Sequence, residues 1–438
     1  MNSTVKSSPQ KNVRFNFAIN MGEAGFFGMG MGFASYVTVI PLFVASLTDS
    51  AVLIGLISAM RLVGWQLPQL ITANRVAGMK RYKPLVMLMT LNERLPLFVL
   101  ALIAIALPTI GREAALILTF IFVSWQALGA GLTATPWISM TAKIIPATLR
   151  GRFYGTLGSS SNLLSSIGAV TAGIILTAGS ETPESFALCF LLAGLVMLIS
   201  FGFLSLNREE TATVENQASR SKGEFWRGLG SILRRDANFR RFLMARTLAQ
   251  VTGIGTAFFT IYAVRNFGMD AGTAGLMTGV LLIAQVIGSP LVGYLGDRFS
   301  HRLLYAVGAL MAGAAAALAA FAPSLEWFYV VFALAGFANA GFQTTMYVLS
   351  SEFGSAAERP FYIGLGNTVV APATLLAPII GGILADSSGY QTTFGVAAVF
   401  AVLTIAMMVF GVREPRQQTA TPVAPEAYAE QREEIMES

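Results

Sequence analysis

This sequence predicts an all-α membrane protein of twelve transmembrane helices in two pseudo-symmetric six-helix halves, and three observations carry the prediction. The first is a repeat: Phe153-Tyr154-Gly155-Thr156-Leu157-Gly158 returns 208 positions later as Phe361-Tyr362-Ile363-Gly364-Leu365-Gly366. Each copy follows a basic loop and opens a long apolar run, which points to two equivalent units. The second is composition. Apolar residues make up 54% of the chain and charged residues 12%, against about 25% charged in a soluble domain. The third is the placement of positive charge. With both termini cytoplasmic, the inside segments hold 24 of the 29 Lys and Arg, the outside loops hold only Arg112 and Arg265, and Arg61, Arg94 and Arg246 fall within helices. An odd number of spans would break that one-sided bias.

Taking about 20 apolar residues per span, the elements follow in order. Residues 1–16 are polar, carry Lys6, Lys11 and Arg14, and lack a short apolar stretch ending in small residues, so the first hydrophobic run is expected to stay as a helix. That first helix, 17–46, holds Glu23 and then the run Gly25-Phe26-Phe27-Gly28-Met29-Gly30-Met31-Gly32-Phe33. The second, 51–76, carries Arg61 and leads into a basic loop with Lys80, Arg81 and Lys83. The third, 84–108, carries Glu93 and Arg94, and the fourth, 113–142, sets Gln126, Gly129, Thr133 and Trp137 at helical spacing. The fifth, 153–178, and the sixth, 185–206, complete the first half, 17–206.

A cytoplasmic linker, 207–241, begins rich in Glu, Thr and Ser. It ends with Phe225, Trp226, Leu229, Ile232 and Leu233 at helical spacing among Arg227, Arg234 and Arg235, the pattern of a short amphipathic helix on the membrane surface. The second half, 242–412, repeats the plan with spans at 242–265, 271–295, 302–322, 325–352, 361–385 and 391–412. Its first span carries Arg246 and Gln250 four apart, and its fourth carries Asn339 and Gln343 four apart. The tail, 413–438, is polar, with little to bury, and is expected to be disordered.

Several function classes fall away. Cys189 is the only cysteine and His301 the only histidine, so an internal disulfide is excluded and a His/Cys metal site is not expected. No Gly-x-x-x-x-Gly-Lys-Ser/Thr loop is present to cradle phosphates, and the scattered embedded acids make no catalytic pair. The pI near 9.5 reflects orientation signals, and no soluble domain supports nucleic-acid binding. The expectation is a monomer without cofactor in the cytoplasmic membrane, with the lipid bilayer and a small-molecule substrate as partners and protons as the candidate coupling ion.

Two six-helix halves, a long linker, and basic loops after the second and eighth helices together resemble the major facilitator superfamily over roughly residues 14 to 415. The most specific match is Gly293-Tyr294-Leu295-Gly296-Asp297-Arg298 followed by Arg302, which looks like the family's Gly-x-x-x-Asp-Arg loop. The resemblance implies that Asp297 and Arg298 belong to a charge relay that helps latch one alternating state. The corresponding first-half loop has Leu70 for the Gly and Asn74 for the Asp, with Arg75 retained, so an asymmetric latch is expected. Drug/proton antiporters of the family carry an Arg ahead of the fourth-helix Gln and a Gly-Pro pair in the fifth helix. Here Ser124-Trp125-Gln126 lacks the Arg and 153–178 lacks any proline; the nearest echo is Pro378-Ile379-Ile380-Gly381-Gly382 in the eleventh helix.

A charge at the bilayer centre costs about 2.5 to 3.5 kcal/mol, so each embedded ion needs a partner or a task. Arg61, Glu93 and Arg94 all fall near the midplane, and an Arg61 to Glu93 ion pair is expected, read first as a structural staple because the third helix is usually peripheral in the family. Glu23, placed near the cytoplasmic end of a helix that lines the cavity in the family, is the preferred proton or cation carrier, with an interfacial carboxylate as the alternative; Glu93 is the second ion-coupling candidate. The Gly/Met/Phe run reads as helix packing before it reads as an adaptable binding surface. Trp125, Gln126, Thr133, Arg246, Gln250, Asn339 and Gln343 are the candidates for the substrate cavity, where Arg246 would favour an anionic group. The leading function is gradient-driven efflux of a small amphipathic organic molecule by alternating access; the alternatives are uptake of a small metabolite and a lipid-handling or assembly factor of the same fold.

Overall fold

The computed structural model describes residues 12–36, 38–48, 50–211, 222–269, 271–355 and 358–415, and among them every regular element is helical. The first helix is broken: α1 (Val13–Phe33) and α2 (Val39–Leu47) are separated by a short irregular stretch. Restarting there puts Pro41 in the first turn of α2, where its missing N–H has no helical partner to lose. The second is also divided, into α3 (Ala51–Gln66) and α4 (Gln69–Ala77), at Pro68. The Gln69 side chain covers part of the interruption by donating Nε2–H to the Trp65 carbonyl at 2.8 Å.

Helix α5 runs from Lys83–Ile144, but Gly111 interrupts it at φ 79° and ψ 165°, so the chain turns there between two traverses. Only glycine adopts that conformation readily. α6 (Arg150–Ala178) and α7 (Pro183–Ser205) follow, then α8 (Lys222–Arg235), α9 (Ala237–Thr252) and α10 (Ile254–Phe267). The remainder is α11 (Ala271–Arg298), α12 (His301–Phe321), α13 (Trp327–Glu352), α14 (Arg359–Ser388) and α15 (Tyr390–Ala406), the last continuing as a π-helical turn over Met407–Gly411. Among the described residues, eight helical stretches are long and apolar enough to cross a membrane. The chain is a multi-pass integral membrane protein.

Helix α8 docks on the second half through part of its apolar face: Leu229 and Ile232 are buried in a cluster with Phe239, Phe242 and Tyr362. Arg235 reinforces the docking by donating to Glu358 at 2.9 Å, and that hydrogen bond raises the pKa of its guanidinium above the ordinary value. The side chains of Phe225, Trp226 and Arg227 fall outside the described residues, as do the Thr-rich start of the linker, the N-terminal 1–11 and the tail from 416.

A set of polar clamps gathers the basic loops at one end of the bundle. Asn16 exchanges two hydrogen bonds with the backbone of Arg208, both at 2.9 Å. The adjacent Glu209 accepts from the Tyr82 and Lys83 amides at the start of α5 and from Lys143 Nζ at 2.8 Å. The same arrangement recurs: Asn238 exchanges two bonds with the backbone of Arg413 at 2.9 and 2.7 Å, and Glu414 accepts from Ser300 at the N-cap of α12. An Asn-Phe pair thus meets an Arg-Glu pair twice, Asn16-Phe17 with Arg208-Glu209 and Asn238-Phe239 with Arg413-Glu414.

At this same end α6 packs along α11 with almost no side chain between them. A Cβ on Gly293 would strike the Gly151 carbonyl, and one on Gly155 would strike that of Ser289. Farther along, Ser159 donates to the Val286 carbonyl at 2.8 Å and Asn162 to Gln285 at 3.3 Å. Farther along still, Ile167, Val170 and Ile174 of α6 and Leu276 and Ile283 of α11 are exposed. Helix α14 meets α4 in the corresponding way, with Gly364 against the backbone of Gln69 and Leu70.

Candidate functional site

Two adjoining cavities lie inside the bundle, sharing a wall made by Arg61 and Trp65 of α3 and Tyr347 of α13. The smaller, about 180 Å³, is enclosed mainly by α1, α3, α5 and α6. The larger, about 490 Å³, is enclosed by α3 and by α9, α10, α12, α13 and α14, a size suited to a small organic ligand. The glycine-rich run of α1 explains the close approach of its neighbours. Gly28 and Gly32 seat the helix against the Ser161 and Ser165 carbonyls of α6, and Gly30 seats it against α7, so this run serves packing while Phe27 faces the smaller cavity.

Glu23, Glu93 and Thr90 line the smaller cavity. Glu23 lies ten residues into α1 rather than at the interface, and it is 7% exposed. Its partner is Arg94, whose Nη2 stands 3.8 Å from Glu23 Oε1. Ser200 of α7 bridges them, accepting from Arg94 at 3.0 Å and donating to Glu23 at 3.2 Å. Arg94 also donates Nε–H to the Met197 carbonyl at 3.0 Å and Nη1–H to Thr90 Oγ1. Thr90 in turn donates to Glu93 Oε1 at 3.5 Å, so one network joins both carboxylates across three helices.

The expected Arg61 to Glu93 pair does not form. Arg61 instead sits over the Tyr36 ring, 5.5 Å from its centroid, and its buried Nη1 has no hydrogen-bond partner. Arg61 and Glu93 line the smaller cavity without closing to ion-pair distance, while Arg94, about 100° around the helix from Glu93, faces α1 and α7 and takes Glu23. The stretch of α5 that bears Glu93 is therefore a cavity wall and not a peripheral element.

The larger cavity brings together Arg246, Gln250, Asn339 and Gln343, with Gln66 and Thr374 beside them. Arg246 is 3% exposed and donates to the Gly366 carbonyl at 3.1 Å and to Asn367 Oδ1 at 2.8 Å, so it does not reach toward the headgroups. Asn367 passes the connection to Gln69 of α4. Thr374 Oγ1 stands 3.1 Å from Gln66 Oε1 and 3.2 Å from Gln250 Oε1, so its single hydroxyl proton is shared between the two amides.

Of the remaining cavity candidates, Thr133 lines the smaller chamber. Gln126 is buried but bonds to the Tyr36 hydroxyl at the break in the first helix, away from either lining. Trp125 is placed outside: it is 36% exposed, its ring tilted against Phe122 and its indole donating to Asn92 at 2.9 Å. The pairing satisfies the indole N–H on the outer side of the bundle.

In the last turn of α11, Asp297 accepts from the Gly151 and Arg152 amides at 2.9 and 2.7 Å and meets His301 Nε2 at 3.2 Å. It thereby caps the first turn of α6 from another part of the chain. The neighbouring arginines serve elsewhere: Arg298 lies over Phe299 and Arg302 donates to the Val409 and Val412 carbonyls. Gly293 supplies the close approach already described, Asn74 is half-buried near the end of α4, and Arg75 is exposed.

Trp65, Tyr347, Thr90, Ser200 and Asn367 were not singled out from the sequence. Trp65 stands four residues from Arg61 on one helix and Thr90 three from Glu93, spacings that could have found them. Ser200 and Tyr347 become visible only through tertiary packing. A separate apolar recess between α3, α5 and α14, with Leu56, Met60, Leu128 and Leu375 in its wall, shares no lining residue with either polar cavity.

The sequence profile described as Major Facilitator Superfamily matches residues 243–433. Multidrug resistance protein 1 of Bacillus subtilis is 25% identical over 176 residues, 40% of this chain and 45% of that protein. Putative metabolite transport protein YwtG of the same organism is 28% identical over 160 residues, 36% of this chain and 34% of that protein. Protein spinster of Drosophila melanogaster is 28% identical over 159 residues, covering 34% and 26%. The chain spans less than half the length of these curated relatives. Among solved structures, the E. coli fucose:proton symporter FucP matches with a TM-score of 0.71 at 16% identity, over 92% of this chain and all of that one, and its outward conformation with 0.73. A bacterial homologue of the iron transporter ferroportin in an outward-facing state matches with 0.70 at 14% identity, over 90% and 98%. At such identities the shared property is the fold.

Proposed function

We propose that this chain, a member of the major facilitator superfamily by its profile match and its fold, is a secondary transporter of a small amphipathic organic molecule. Two six-helix halves, near 17–206 and 242–412, rock about the paired cavities; the twelve-span reading joins α1 with α2, α3 with α4 and α9 with α10, and divides α5 at Gly111. The observation that carries the proposal is the shared wall of Arg61, Trp65 and Tyr347, where elements of both halves meet at one internal site. With the basic-loop end taken as cytoplasmic, close packing of α6 on α11 and of α14 on α4 seals that side.

Glu23 and Glu93 are the proton carriers in this reading, since both carboxylates line the smaller cavity and are linked through Arg94 and Thr90. Export is the favoured direction, supported by the aromatic cavity wall and by the resemblance to a multidrug resistance protein. Uptake of a small metabolite is the second reading. The amides Gln250, Asn339 and Gln343 favour it, because fixed hydrogen-bonding groups suit a polar solute. Proteoliposomes with an imposed pH gradient test the proposal: substrate should move against its own gradient only when protons run down theirs. Flux that ignores the pH gradient in both orientations rejects proton coupling, and the productive orientation separates export from uptake.

A further inference from the structure

We propose that the larger cavity binds the negative group of a small organic anion between the guanidiniums of Arg61 and Arg246, an assignment that rests on the transport reading and names its substrate class. Two cations face this cavity and no carboxylate does. Arg246 is held by neutral acceptors alone, the Gly366 carbonyl and the Asn367 amide oxygen. Arg61 has an unpartnered buried Nη1 and leans on the Tyr36 ring. The acids next door do not cancel them: Glu23 pairs with Arg94, and Glu93 forms no ion pair with Arg61.

Tyr347 lines the cavity together with both guanidiniums. A buried cation without a counter-charge is costly. A ligand that brings the missing charge removes that cost, and the planar guanidinium fork suits a carboxylate, sulfonate or phosphate. The rings of Trp65, Tyr305 and Tyr347 face the same space and suit an apolar body attached to the anionic group. The resulting ligand class is an amphipathic organic anion.

The test reads cavity potential and ligand preference in the purified full-length protein, without flux. In a Cys189→Ser, Asn339→Cys chain, the reaction rates of anionic sulfonatoethyl and cationic trimethylammonioethyl methanethiosulfonate are measured and normalised to a free thiol. The anionic reagent should be favoured by roughly tenfold, as expected of an electropositive cleft, and Arg246→Gln should bring the ratio toward one. Should that variant misfold, Arg61→Gln on the shared wall serves the same purpose. A normalised ratio of one or below in the parent overturns the proposal. Naphthylacetate should protect the cysteine and its amide, naphthylacetamide, should not. Equal protection by the amide, no protection by naphthylacetate, or protection by phosphatidylglycerol alone overturns it as well, the last by assigning the site to a lipid headgroup. An anion preference that survives failure of proton-driven flux leaves this inference standing while rejecting proton coupling.

Discussion

Arg246 Nη2 donates to Asn367 Oδ1 at 2.8 Å, and the other end of the same amide donates to Gln69 in a different part of the bundle. The cavity guanidinium is therefore tied to the seam between α14 and α4 through one side chain. Replacing Asn367 by Leu strands two buried polar groups at once. Each unsatisfied group costs about 1–3 kcal/mol, so the thermal midpoint in detergent should fall. Adding Gln69→Leu should cost less than the sum of the single losses; strict additivity would reject the coupling.

The network at Glu23 separates charge coupling from stability. Glu23→Gln keeps the shape and the bond from Ser200 but removes the titratable group, so proton-driven flux should be lost while substrate counterflow and expression persist. Unchanged proton-driven flux in proteoliposomes would remove Glu23 from the mechanism.

Arg94 has the opposite signature. Its guanidinium bonds to Thr90, Met197 and Ser200 and faces Glu23, all buried. Arg94→Met leaves a carboxylate without its counter-charge, and breaking a buried pair costs about 3–5 kcal/mol. The double variant Glu23→Gln, Arg94→Met should recover part of that loss in thermal unfolding.

Asp297 should act on the conformational equilibrium. It caps α6 through the Gly151 and Arg152 amides, so Asp297→Ala should weaken the seal where α6 meets α11. A cysteine pair at Ser159 and Val286, in a Cys189→Ser background, reports that seal by its cross-linking rate. A several-fold slower rate is expected; an unchanged rate would show that glycine packing alone holds the contact.

The two acidic clamps differ by one partner. Glu209 holds two α5 amides and the Lys143 ammonium, whereas Glu414 holds Ser300 and, at 3.5 Å, the Arg302 amide. Glu209→Ala should therefore lower the thermal midpoint more than Glu414→Ala does, and the reverse order would contradict the assignment.

The helical order was legible because runs of apolar residues and one-sided basic loops are properties of the chain read locally. Breaks at Pro68 and before Pro41 and the turn at Gly111 follow from the same residues, but the paired Arg-Glu and Asn-Phe clamps were too short to stand out. In the site, the embedded charges Glu23, Arg61, Glu93 and Arg94 were visible because lipid makes them expensive. Which acid meets which base was not visible, since adjacent Glu93 and Arg94 differ only in helical direction and Ser200 comes from 177 residues away. Trp125 misled because an indole at helical spacing looks the same on the inner and the outer face.

The clamps at Asn16 with Arg208 and at Asn238 with Arg413 bring the first and last turns of each helical set together. In terms of contacts, each set closes on itself, through Arg208 and Asn238 near the two ends of the covalent bridge between them. Severing that bridge between 212 and 221, and synthesising the pieces as separate polypeptides, should still yield two stable bodies. They would find each other through the glycine faces of α6 and α11, as two subunits do in a dimer.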